Sequence, residues 1–164
     1  MSGKKKGNRP GVRRVGRTLA FQVLYGVHFD DPQNPVDIET AFDRNPMVDE
    51  QESATARDFA RTLVMGVDAN LARIDAVIGE HSQHWKFDRI AVIELSILRL
   101  SLYEMLFTDI PVKAAINEAI ELSKLFGDEK SRGFVNGILD GAARSEIRES
   151  AMDAARDSTM DGNA

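Results

Sequence analysis

The chain has 164 residues, 43% hydrophobic and 29% charged, with a net charge of −5; this composition suits one folded globular domain or two small lobes sharing a core. It contains no cysteine, which excludes disulfides and thiolate metal sites. The charge is unevenly placed: residues 1–29 carry Lys4, Lys5, Lys6, Arg9, Arg13, Arg14 and Arg17 and no acid, while the rest of the chain holds all 26 acids.

A basic arm on an acidic body is the pattern of a chain that meets a polyanion at one end. For Lys4–Lys6 a solubilising tail explains the charge equally well. Arg13, Arg14 and Arg17 lead into ordered structure, which favours the nucleic-acid reading.

Residues 1–11 form a disordered basic arm, broken by Gly3, Gly7, Pro10 and Gly11. Val15, Leu19, Ala20, Val23, Leu24 and Val27 recur at helical spacing and predict a first helix over 12–29. Opposite this stripe lie Arg14, Arg17, Phe21, Tyr25 and His28. Arginines can fork onto phosphates and exposed aromatic rings can stack on unpaired bases. Phe21 reads better as core; Tyr25 stays open between core and interface. A short helix is expected over 36–45, with Ile38 and Phe42 inward, and a loop over 46–52.

A long helix is predicted over 53–79, with Phe59, Leu63, Val67, Leu71, Ile74 and Ile78 on one face. Asp88 is a candidate cap for the next helix, which runs to Phe107 and is apolar nearly all round, so it belongs at the centre of a bundle. Glu94, Arg99 and Glu104 interrupt it, so it reads as a buried helix rather than a membrane span. No apolar segment follows the basic arm as a signal peptide would require; the expected location is cytoplasmic.

Pro111 opens a helix whose inward face is Ala115, Ile116, Ala119, Leu122 and Phe126. Gly127 is expected to stop it with a positive φ. Ser131 is expected to cap the following helix, with Phe134, Ile138, Leu139 and Ala142 inward. Gly133, Gly137 and Gly141 share one stripe there, which predicts close packing of another backbone. The polar residues 149–164 read as a disordered tail. The fold class is all-α, a compact bundle of about six or seven helices, with its folded domain over 12–148.

Enzyme signatures are absent: there is no phosphate-binding glycine loop and no nucleophile elbow. His81 and His84 lack a third ligand and read as a solvated linker, and Glu118 and Glu121 as surface acids. Neither catalysis, a metal nor a cofactor is expected. Lys124, Lys130 and Arg132, around the turn and the start of the last helix, make a second candidate anion site.

Three segments, RRVGRTLAFQVLY, IAVIELSILRLSLYEML and DIPVKAAINEAIELSKLFGDEKSRGFVNGILD, resemble in order and spacing the signature blocks of the NusB family of bacterial transcription antitermination factors. The resemblance covers residues 13–147. It implies two three-helix subdomains with a linking helix. It further implies binding of the single-stranded boxA RNA element of ribosomal RNA leader transcripts, pairing with the ribosomal protein NusE, and entry into an antitermination complex on RNA polymerase.

On this resemblance the RNA-facing positions are Arg13, Arg14, Arg17, Gln22, Lys130, Arg132 and Phe134, with the hairpin turn beside the basic arm; the NusE-facing positions are Tyr25 and Glu104. Gly16 stands where the family usually has alanine, so the first helix is expected to start late or fray. Some members form homodimers that hide the RNA surface, and a homodimer stays open here. Two other readings are a non-catalytic protein-interaction bundle, and the RNA-binding module of a ribosomal RNA cytosine methyltransferase without its catalytic domain.

Overall fold

The computed structural model describes residues 11–82 and 86–160. Among these every regular element is helical, in two units, one up to Ala69 and one from Asn70. The all-α expectation holds; in place of two three-helix subdomains with a linking helix, the described residues form two units of four α-helices each.

The first unit contains α1 (Val12–Val27), α2 (Ile38–Asp43), α3 (Pro46–Glu50) and α4 (Ala54–Ala69). Helix α1 packs most extensively on α4. Leu19, Ala20, Phe21 and Val23 from α1 and Ala56, Ala60, Leu63, Val64 and Val67 from α4 are buried. Phe42 and Val48 are also buried. Arg61 of α4 pairs with Asp43 at 2.8 Å and Glu39 at 3.5 Å, and its guanidinium lies 5.4 Å from the Phe42 ring centroid. One cation thus fastens both ends of α2.

Residues 46–50 are helical rather than a loop. The Asn45 side chain accepts the Met47 N–H at 2.9 Å and Pro46 occupies the first turn. Both are helix-start signals, which a reading of Pro46 as mere punctuation passes over. Ser53 caps α4 by accepting the Ala56 N–H at 3.1 Å.

The second unit contains α5 (Leu71–His81), a 3₁₀ turn (Phe87–Arg89), α6 (Val92–Phe107), α7 (Val112–Phe126) and α8 (Glu129–Met160). The long helix expected over 53–79 is therefore two. It breaks at Asn70, which has φ −116° and ψ 17°. The apolar stripe runs through the break in phase, so periodicity alone does not register it.

Helix α6 is the centre of this unit, packed against α5, α7 and α8, as its all-round apolarity predicts. Asp88 does not cap it; Asp88 sits in the 3₁₀ turn and Ala91 occupies the N-cap position. Phe107, at the end of the helix, is exposed and stacks on Tyr103. Arg99 forks onto both Asp75 carboxylate oxygens at 2.9 Å each, joining α6 to α5. This bidentate geometry is the favoured arginine–carboxylate arrangement.

Gly127 has φ −111° and ψ −161°, and no glycine among the described residues has a positive φ. Its reason is steric instead: a Cβ there would lie 2.8 Å from Ser131 Cβ. The cap of α8 is Asp128, which accepts the Ser131 N–H at 2.8 Å. Phe134 is only half-buried, and the inward face is carried by Val135, Ile138, Leu139, Ala142 and Ala143.

Helix α8 continues to Met160, so the tail expected to be disordered from 149 is helical to that point, with its residues exposed. Ala151, Ala154 and Ala155 supply strong helix propensity, and Arg156 lies 4.0 Å from Asp153 one turn away. The lysines of the basic arm, Arg9 and His84 lie outside the described residues.

Candidate nucleic-acid interface

In the first unit the candidate surface is built on the start of α1. Gly16 is buried there, and a Cβ on it would lie 2.7 Å from Phe59 Cδ1 and 3.0 Å from the Ala56 carbonyl oxygen. The missing side chain lets α4 approach. Helix α1 begins at Val12 and passes through Gly16 unbroken, contrary to the expected late start.

The close approach brings the half-buried Phe59 ring under two arginines. The guanidinium carbon of Arg13 is 5.9 Å from the ring centroid and that of Arg17 is 5.5 Å. Both distances are within cation–π range. Arg13 and Arg14 are exposed, whereas Arg17 is only 6% exposed. The expected arginine trio therefore divides: two side chains meet solvent and the third packs into the α1–α4 seam.

Further along α1, Gln22 and Tyr25 are half-buried. Tyr25 stacks on the buried Phe21 at 5.9 Å and meets the Phe29 ring edge-on at 5.0 Å. Phe29 is 62% exposed. Tyr25 therefore resolves into the middle of an aromatic ladder that runs from core to surface.

In the second unit Arg89, Ile90, Ala91, Glu94, Lys130 and Phe134 line a cleft of about 320 Å³. Lys130 and Phe134 were expected site residues. Arg132 is half-buried on the same turn and does not line the cleft. Lys124 pairs with Glu121 at 3.1 Å, so its charge is locally compensated.

Glu94, one of the lining residues, is tied to the α8 cap through Ser131. The Ser131 hydroxyl lies 3.0 Å from Glu94 Oε1 and 3.1 Å from Asp128 Oδ1. With one proton it donates to one carboxylate at a time. The backbone N–H and hydroxyl of Ser131 hold the Asp128 carboxyl below its ordinary value.

Glu104, expected to face a partner, is 4% exposed. The acid that α6 presents at the surface is Glu94. Arg89 and Phe59 were not anticipated as site residues. Arg89 follows Asp88 in a stretch read as a helix cap, and Phe59 sits in the apolar stripe of α4. Neither position signals its role without tertiary context.

The exposed Arg13 on an aromatic seat beside the exposed Arg14, and a cleft combining cations with a half-buried ring, define an all-helical protein with a candidate nucleic-acid-binding surface. The NusB family model matches residues 14–144. The transcription antitermination protein NusB of Nitratidesulfovibrio vulgaris (strain DP4) is 48% identical over 135 residues, covering 81% of this chain and 88% of that protein. A solved NusB structure from T. maritima superposes with a TM-score of 0.71 at 37% identity, covering 80% of this chain and 90% of the other. A crystal structure of the antitermination factors NusB and NusE with dsRNA superposes with a TM-score of 0.70 at 27% identity, covering 82% and 97%. The chain belongs to the NusB family.

Among the described residues no helix is long and apolar enough to cross a membrane.

Proposed function

We propose that this chain is a transcription antitermination factor that binds the single-stranded boxA element of ribosomal RNA leader transcripts together with NusE. On this reading the pair joins an antitermination complex on RNA polymerase, and the chain contributes recognition without catalysis. The observation that carries the reading is the seating of Arg13 beside the exposed Arg14, over Phe59. It presents one ring-seated cation beside a second exposed one to a phosphate backbone. The relative crystallised with NusE and dsRNA supports the choice of partners.

The RNA-contacting set is Arg13, Arg14 and Gln22 on α1, with Lys130, Arg132 and Phe134 on α8. Arg17 holds the seam rather than touching RNA. Tyr25, with Phe29 beside it, is the aromatic position offered to NusE; Glu104 is withdrawn from that role by its burial.

A titration of a boxA-like RNA against a scrambled control at several salt concentrations tests this. Contact with three to five phosphates predicts a log–log slope of roughly −2 to −4 on single strands. A flat slope with equal affinity for both RNAs would remove the RNA role and leave a protein-interaction bundle.

A further inference from the structure

A separate cleft of about 250 Å³ lies in the first unit, between the end of α1 and the segment that leads into α3. Val23, Gly26, Val27 and Asp30 follow at helical spacing along one wall. Val36, Ala41, Arg44 and Asn45 line it from the other side. None of these residues is among those assigned above to RNA or to NusE.

Gly26 keeps the cleft open. A Cβ there would point at Asn45 Nδ2, 3.8 Å away, and meet nothing else within 4 Å, so a larger side chain would take up the space between the walls. Asn45 uses its Oδ1 to accept the Met47 N–H at 2.9 Å, which leaves the hydrogens on Nδ2 as donors. Arg44 and Asp30 are exposed, and neither side chain has a hydrogen-bond or ion-pair partner among the described residues.

Three recognition chemistries therefore share one cleft: a cation beside an amide donor, a carboxylate, and valine walls of which Val23 is buried. A bare anion has no use for Asp30, which repels it. A purely apolar ligand leaves both charges unanswered. A zwitterion with an apolar side chain uses all three. The volume keeps that ligand small, because sites for drug-sized molecules run to roughly 300–1,000 Å³.

We infer that this cleft binds a free α-amino acid with a branched aliphatic side chain, such as leucine or valine. Arg44 and the Asn45 amide take the carboxylate, Asp30 takes the ammonium, and Val23, Val27 and Val36 take the side chain. Both charged contacts are charge-assisted hydrogen bonds, the stronger kind. The inference goes beyond the RNA-binding reading and does not depend on it.

The test titrates the isotope-labelled full chain with L-leucine, N-acetyl-leucine and leucinamide, with binding read from backbone amide NMR shifts. Leucine should shift Gly26, Arg44 and Asn45 to saturation. N-acetyl-leucine lacks the ammonium and leucinamide lacks the carboxylate, so each should bind roughly tenfold more weakly. Asp30→Asn should erase the preference for leucine over N-acetyl-leucine and keep that over leucinamide; Arg44→Ala should do the reverse. Gly26→Val should abolish binding of all three. Thermal melting of the two charge variants should match wild type, since both side chains are exposed.

Absence of a saturable shift with leucine would overturn the inference. Equal binding of the three compounds would also overturn it, because the cleft would then read only an apolar group. So would an Arg44→Ala variant that loses NusE pairing while leucine leaves the wild-type spectrum unchanged, which would give the cleft to the protein partner. RNA affinity, measured separately, decides only the RNA reading.

Discussion

The guanidinium of Arg17 lies 5.5 Å from the centroid of the Phe59 ring, at the turn where Gly16 leaves no side chain between α1 and α4. Helix packing and the cationic surface are therefore one construction. The close approach that Gly16 permits is what places a ring beneath Arg13 and Arg17.

Gly16→Ala should destabilise the protein even though alanine is the better helix former. Alanine is favoured by about 1 kcal/mol in a helix interior, but the added Cβ must displace the Phe59 ring and meets backbone at Ala56. Overpacking of this kind costs about 1–3 kcal/mol. Denaturant melts should show a lower midpoint with an unchanged slope.

Arg14→Ala and Arg17→Ala should separate function from stability. Arg14 is exposed, so its loss should lower RNA affinity, reduce the salt slope by about 0.7, and leave the melting temperature within error. Arg17 is buried against the α1–α4 seam, so its loss should destabilise by about 1–2 kcal/mol through lost packing and cation–π contact. Anisotropy and thermal melts on the same two variants check both halves.

Gly133 and Gly137 are exposed helical glycines, and a Cβ at either meets nothing within 4 Å. Their expected role in close packing is not found; of the three-glycine stripe only Gly141 meets a neighbour, the His81 ring at 3.0 Å. Gly133→Ala and Gly137→Ala should each raise stability by about 0.5–1 kcal/mol. Gly141→Ala should lower it. Urea unfolding of the three single variants gives the order.

The Asp128 carboxyl is held below its ordinary value of 3.8 by the Ser131 N–H and hydroxyl. A carboxyl with a lowered folded value contributes stability that is present above the unfolded value and lost as pH falls through the folded one. Fraying of the α8 start should therefore begin only below about pH 4, and Asp128→Ala should show it at neutral pH. Amide exchange at Ser131 and its neighbours measures this directly.

Much of this architecture is legible in the sequence because it is written in local chemistry. Apolar residues at helical spacing place α1, Pro111 opens a helix, and the apolarity of 90–107 on nearly all sides places α6 at a centre. What is not legible depends on partners distant in sequence. A sequence pattern shows that glycines are packed somewhere, but only the α1–α4 seam shows that Gly16 is the one required there. Glu94 and Glu104 look equivalent in sequence on α6; one lines a cleft and the other is buried. The same holds for Arg14 and Arg17, three residues apart on one helix, the first exposed and the second buried at the α1–α4 seam.

The central claim is recognition of boxA RNA together with NusE. Its most direct test is the affinity of this chain for a boxA-like RNA and a scrambled control, measured with and without purified NusE at two salt concentrations. Selective binding that tightens when NusE is added is the predicted result. Equal, weak and salt-sensitive binding to both RNAs, unaffected by NusE, would contradict it and leave only a cationic surface on a helical fold.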